Sequence, residues 1–170
     1  MSAPINTCVL GYGLSAKVFQ IPYIQLTPGL VLHSILQRTP TAANDAAADH
    51  PTAKIHSSLE AVLADPEIQL VIVSTANSTH YPMAKALLEA GKHVVVEKPF
   101  TVTAAEADDL VEVGKRAGRI LTAFQSTLPC PPPRAPANRR RPPLGLGLPH
   151  AAAPHQGGHL WHAGDARLAL

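Results

Sequence analysis

No run of this chain approaches the ~18 apolar residues that a membrane-spanning helix requires, so no transmembrane segment is expected. The N-terminus lacks a basic region followed by an apolar run, and therefore does not read as a secretory signal. Cysteine is scarce. The 2 residues, Cys8 and Cys130, lie far apart in very different surroundings. Cys8 falls within an apolar, strand-like run, so the pattern argues against a disulfide framework and for a reducing compartment. The formal net charge is only +2, which selects no class of partner. These absences together describe a soluble, cytoplasmic protein. What is present is a 46% hydrophobic fraction over 170 residues, enough for one domain with a sizeable core, with or without a tail.

The composition changes abruptly after Gln125. From Ser126 onward the chain contains no valine, isoleucine, lysine or glutamate, and it holds roughly half of the 17 prolines. Such a segment cannot bury enough apolar surface to offset its ordering entropy. The expected division is a folded domain over 1–125 and a Pro/Arg/His-rich, disordered tail over 126–170. The tail's composition fits a shifted reading frame, a mis-spliced exon or a truncation. Arg139-Arg140-Arg141 could contact phosphates, but without interleaved aromatics or a fold a nucleic-acid partner is not expected. His150, His155, His159 and His162 could chelate a metal, but Gly157-Gly158 prevents a fixed helical face, so no metal site is assigned.

The folded part is organised around Asn6 to Ala16, N-T-C-V-L-G-Y-G-L-S-A. An apolar run feeds Gly11-Tyr12-Gly13, and Ala16 follows three residues after the second glycine, the G-x-G-x-x-G/A pattern. The first glycine permits the turn out of a strand, the second lets a pyrophosphate approach the backbone, and a small third residue lets the next helix pack closely. Free N–H groups over Gly11, Tyr12, Gly13, Leu14, Ser15 and Ala16 would face the phosphates at the positive end of that helix.

Further along, apolar β-branched runs alternate with amphipathic segments. Strands are expected over Ile5–Leu10, Leu30–Leu36, Lys54–His56, Ile68–Ser74, His93–Val96 and Ile120–Phe124. The first helix begins near Ser15, draws its apolar contacts from Phe19, Ile21 and Ile24, and should break or kink at Pro22. Ala42 to Pro51 reads as a loop or a loose helical turn. Capping boxes at Ser57-Ser58-Leu59-Glu60 and Thr103-Ala104-Ala105-Glu106 start two more helices, and Thr75 to His80 caps another over Tyr81–Ala90. Six strands with long crossovers make a doubly wound parallel α/β sheet of the Rossmann type, in which ligands bind beyond the carboxyl ends of the strands. The glycine turn, Arg38, Thr75 to His80, Glu97-Lys98 and Gln125 all follow strand ends.

Where an NAD-selective site offers an acid to the ribose 2′-OH, this chain has no acid until Asp45 and has Arg38 instead. A guanidinium there can fork onto a 2′-phosphate, which gives a preference for NADP with NAD still possible. The alternative is a solvated arginine that merely ends a strand.

G-Y-G-L-S-A with Phe19 and Pro22, then S-T-A-N-S-T-H, then E-K-P, resembles the glucose–fructose oxidoreductase/inositol dehydrogenase/MocA (Gfo/Idh/MocA) family over about Met1 to Gln125. The resemblance implies an NAD(P)-dependent oxidoreductase transferring hydride to or from a sugar, polyol or related carbonyl or alcohol. By the same likeness Thr75, Ala76, Asn77, His80 and Gln125 belong to the cofactor groove, and Glu97 and Lys98 face nicotinamide and substrate. It also implies that the Lys98-Pro99 bond is often cis. Lys98 is the expected catalytic residue: an ammonium in a partly dry cleft stabilises a developing oxyanion and relays the hydroxyl proton. Otherwise it is a surface lysine beside Glu97. Gln20 and Ala76 stand where the family more often has histidine and proline, and Gln125 leads into Ser126-Thr127-Leu128 rather than an Asn/Arg-rich segment. Family members carry a second domain that builds the substrate pocket, for which 126–170 lacks the alternation. Two roles are therefore open: an oxidoreductase represented by its cofactor domain, turning over little, or a catalytically silent module pairing with an intact family member. The oligomeric state, including a homo-oligomer, is left open.

Overall fold

The computed structural model describes residues 3–125. The expectations for 126–170, including the disordered tail, Cys130, the arginine run and the histidine group, lie outside the described residues.

Six strands form one sheet: β1 (Ile5–Leu10), β2 (Leu30–Leu36), β3 (Lys54–His56), β4 (Leu70–Val73), β5 (His93–Val96) and β6 (Leu121–Ala123). Their order is β3-β2-β1-β4-β5-β6, and every pairing is parallel. The expected doubly wound sheet is therefore present. Chain order reverses at β1, whose neighbours are β2 on one side and β4 on the other, and this switch point opens a crevice at the carboxyl ends.

The sheet is covered on both faces, which explains its near-continuous apolar strands. On one face Cys8, Leu10, Val71 and Val73 pack against Val62 of α3 (Leu59–Ala64), Leu87 of α4 (Asn77–Glu89) and Leu110 of α5 (Ala104–Ala117). On the other, Val9, Ile35 and Ile72 pack against Ile21 and Ile24 of α1 (Ile21–Leu26) and Ala46 of α2 (Ala46–Asp49). Each fully buried leucine or isoleucine contributes roughly 1.5–3 kcal/mol. Burial also pushes the Cys8 thiol up to about 12, so it packs as a small hydrophobe rather than serving as a nucleophile.

Several local expectations need correction. At Pro22 the expected break or kink takes the form of a change in helix type, with the proline in the first turn of α1. Ala16–Gln20 forms a π-helical segment that passes directly into α1. A proline ring in a regular α-helix would meet the carbonyl of Val18, and the wider turn before Pro22, closed by the Ile21 N–H on the Ala16 carbonyl, avoids this. Phe19 is not a core contact: it is 47% exposed, and Gln20 is buried beside it. Helix α4 begins at Asn77, not Tyr81, with no side-chain cap at Ala76 and Pro82 inside it. Its first turn is held by Thr79, whose N–H and hydroxyl both donate to the Ala76 carbonyl. Ser58, not Ser57, caps α3 by accepting from the Ala61 N–H. The Thr103–Glu106 capping box is complete in both directions, as expected.

Candidate cofactor site

A cleft of about 360 Å³ lies at the switch point between the carboxyl ends of β1, β2 and β4. Gly11, Tyr12 and Gly13 form one wall, Arg38 and Thr39 another, and Thr75 and Ala76 a third. The turn is built as the glycine pattern requires. Gly11 has φ +92, and a Cβ there would stand 2.5 Å from the Ser74 carbonyl oxygen. Gly11 is thus fixed by the close approach of β1 to the chain leaving β4. Gly13 differs: a Cβ there would meet nothing within 4 Å, so packing within the domain does not require this glycine. The main-chain N–H groups of Tyr12 to Ala16 have no protein acceptor among the described residues. The cleft wall carries one charged side chain, Arg38, and no carboxylate. Free N–H groups at a helix start facing a guanidinium suit a ligand with several anionic groups.

Tyr12 belongs to the cleft wall, and its hydroxyl is tied to α2. Its hydroxyl donates to Asp49 Oδ2 at 2.7 Å, and Lys17 Nζ lies 4.4 Å above its ring and 3.2 Å from the same carboxylate. The Tyr12 hydrogen bond, then that of Lys17, holds the Asp49 carboxyl below its ordinary range. Asn44 Nδ2 donates to the Tyr12 carbonyl at 3.1 Å, and Gln37 spans the loop by donating to the Asn44 carbonyl and accepting from the Ala46 N–H.

Glu97 departs from its expected place facing substrate. It is 8% exposed and turns back toward the first helix, where Ser15 Oγ donates to its Oε1. Gln20 Nε2 donates to the same oxygen at 2.6 Å, and the Lys98 N–H donates to Oε2 at 3.1 Å. The end of β5 is thereby fastened to the segment that follows the glycine turn, and Gln20 at the family's histidine position supplies one of the ties. Glu97→Ala should cost about 1–3 kcal/mol by leaving the buried Gln20 amide and the half-buried Ser15 hydroxyl without their acceptor. A urea melt checks this, and an unchanged midpoint would remove the fastening role.

His80 is a brace rather than a groove residue. It is 1% exposed, with Nδ1 2.8 Å from the Pro99 carbonyl and Nε2 3.1 Å from the Thr75 carbonyl. It thus joins the loops after β4 and β5. The Lys98-Pro99 bond is cis, as the resemblance implied. Lys98 and Gln125 are exposed at the ends of β5 and β6, Asn77 opens α4, and Leu14 is solvent-facing. Those four residues, with Ser15, Ala16, His80 and Glu97, do not line the cleft. Six residues that do line it were not assigned to the site: Leu36, Gln37, Thr39, Asn44, Thr79 and Met83. Thr79 and Met83 were recoverable from an earlier helix start, since Thr75 Oγ1 lies 2.7 Å from Thr79 Oγ1 and Met83 follows one turn on. Asn44 carries no local signal.

The family model for the oxidoreductase family with an NAD-binding Rossmann fold (GFO_IDH_MocA) matches residues 5–125. The chain belongs to the Gfo/Idh/MocA oxidoreductase family. An uncharacterized oxidoreductase, YdgJ, of Escherichia coli K12 is 44% identical over 126 residues, covering 74% of this chain and 36% of the relative. The scyllo-inositol 2-dehydrogenase (NADP(+)) IolW of Bacillus subtilis is 35% identical over 122 residues, 72% of this chain and 33% of that protein. Among solved structures, biliverdin reductase of Synechocystis sp. PCC 6803, in complex with biliverdin and NADP+, superposes with TM-score 0.64 at 31% identity. That match covers 71% of this chain and 38% of the reductase. The chain thus spans about a third of the length of the curated relatives it matches. Within the Gfo/Idh/MocA family the domain described here is the nucleotide-binding one.

Proposed function

We propose that this domain binds NADP(H) across the switch-point cleft and, within a Gfo/Idh/MocA oxidoreductase, presents the nicotinamide for hydride exchange with a sugar, polyol or related carbonyl or alcohol. The observation that carries the reading is the pairing of unpartnered N–H groups over Tyr12–Ala16 with a cleft whose charged side chain is Arg38. The N–H row takes the pyrophosphate at the helix start. Arg38, exposed at the end of β2, takes the 2′-phosphate, and the absence of an acid on the wall removes the usual ribose ligand of NAD sites. The NADP-linked name of the inositol dehydrogenase relative supports the same preference.

Bound NADP supplies the hydride-accepting ring, and the chain's own residues position it. Thr75 and Ala76 form the wall toward β4, with Thr79 locking Thr75 by the hydroxyl pair. His80 and Glu97 hold the loops after β4 and β5 at a fixed distance from the glycine turn. Lys98, exposed on the second of these loops, is the group assigned to take the substrate hydroxyl proton and stabilise the oxyanion. Calorimetric titration of the full chain with NADP+ and NAD+ tests the reading. Saturable binding of NADP+ with weaker NAD+ is expected, and no heat from either coenzyme at millimolar concentration would end the proposal.

A further inference from the structure

Away from the cofactor cleft, on the face of the sheet covered by α3, a second group of ligating side chains converges. His33 Nε2 lies 3.8 Å from Asp65 Oδ2 and 3.9 Å from Glu67 Oε2. His56 Nε2 lies 3.5 Å from the same Asp65 oxygen. We propose that His33, His56, Asp65 and Glu67 form a binding site for a divalent transition-metal ion of the zinc class.

Three features of the fold support this. First, both Nε2 atoms are buried without a hydrogen-bond partner, and the His56 side chain is only 5% exposed. A buried polar atom with no partner costs about 1–3 kcal/mol, and a metal ion would satisfy both nitrogens together. Second, His33 reaches this face through an irregularity. β1 and β2 slip between Thr7 and Cys8, so that Thr7 faces Leu32, Cys8 faces Ser34, and His33 is the extra residue. Strict alternation would send His33 to the face opposite Ser34; the bulge re-aims it toward Asp65. Third, the separations are near those a metal imposes. Bonds of about 2.0–2.2 Å to nitrogen and oxygen in a tetrahedral site place ligands about 3.3–3.6 Å apart; the His33, Asp65 and Glu67 ligand atoms lie within 4.8 Å of one another, and His56 Nε2 would join them by a side-chain shift from its 3.5 Å approach to Asp65 Oδ2.

The surroundings are consistent with that occupant. Lys92 Nζ donates to the carbonyls of Asp65 and Ile68 and fixes the loop carrying both carboxylates. A shallow cleft of about 410 Å³ beside His56, Asp65 and Glu67 gives access from solvent. Lys54 is the competitor: its ammonium lies 2.7 Å from Asp65 Oδ2, on a side chain 55% exposed that can swing away.

The test uses Co2+, whose visible absorption reports tetrahedral ligation, on the full chain with His150, His155, His159 and His162 changed to alanine. The chain should bind one equivalent. His33→Ala and His56→Ala should abolish the band. Glu67→Gln should weaken binding about tenfold or more, and Lys54→Gln should tighten it about tenfold. Glu67 is 68% exposed, so its replacement leaves the fold intact even if a histidine variant melts. Absence of a cobalt band at submillimolar metal, or a Glu67→Gln variant that binds as the parent does, would overturn the site.

Discussion

Gly11→Ala should lower the melting temperature of this domain sharply, while Gly13→Ala should leave the melt unchanged and weaken dinucleotide binding at least about tenfold. At Gly11 an L side chain is strained by φ +92, and its Cβ would sit 2.5 Å from the Ser74 carbonyl oxygen, a main-chain atom that cannot rotate away. Left-handed strain and forced overpacking each cost about 1–3 kcal/mol. Together they remove roughly 2–5 kcal/mol from a total stability of about 5–15 kcal/mol, a fall in Tm on the order of 10–20 °C for a domain this size. At Gly13 a methyl group meets open space within the protein, and replacing glycine there stiffens the unfolded chain, so stability should change by less than about 1 kcal/mol. That open space is where the pyrophosphate is proposed to lie. Calorimetry on a variant with a normal melt should therefore show NADP+ affinity reduced at least about tenfold, the 1.4 kcal/mol equivalent of a modest steric conflict. If Gly13→Ala melts and binds as the parent does, the diphosphate does not run past this turn.

The second large effect concerns Arg38. Arg38→Ala should weaken NADP+ by about 10–100-fold and leave NAD+ within about twofold. A charge-assisted hydrogen bond to a phosphate is worth about 1.5–3 kcal/mol, and NAD+ has no phosphate at that position to lose. Arg38 makes no ion pair among the described residues and lies on the exposed rim of the cleft. Its removal should therefore not disturb the fold, and the ratio of the two dissociation constants reads selectivity directly. Equal losses for both coenzymes would assign Arg38 to adenine stacking or to the surface.

What could be read from the residues followed from periodicity and caps. β1, β2, β3 and β5 match their expected bounds, because apolar β-branched runs flanked by turn residues have little alternative. The Thr103 box starts α5 as expected, and left-handed Gly118 ends it. The cleft was legible where placement is local: Gly11, Gly13 and Arg38 stand on its wall. It was illegible where a role depends on partners far along the chain. Glu97 was placed toward substrate because nothing nearby shows that Ser15 and Gln20 will draw it back. His80 looked like a groove residue, yet the two carbonyls that hold it belong to Thr75 and Pro99. The start of α4 was missed for another reason: Ala76 has no side-chain oxygen to announce it, and the polar run Thr75 to His80 reads as a cap rather than as the first turn.

The sheet order has a consequence for how the domain is made. β1 is synthesised first and ends in the middle, with Thr7 opposite both Leu32 and Leu70. Until β4 leaves the ribosome, one flank of the earliest strand has no neighbour, and the Ser74 carbonyl that fixes Gly11 does not exist. The Ser15–Glu97 tie must wait longer, since its partners are 82 residues apart. A nascent chain therefore completes the walls of the cleft only after β4 and fastens them later still, so a ligand held across the proposed site would stabilise the fully paired sheet rather than the half made first.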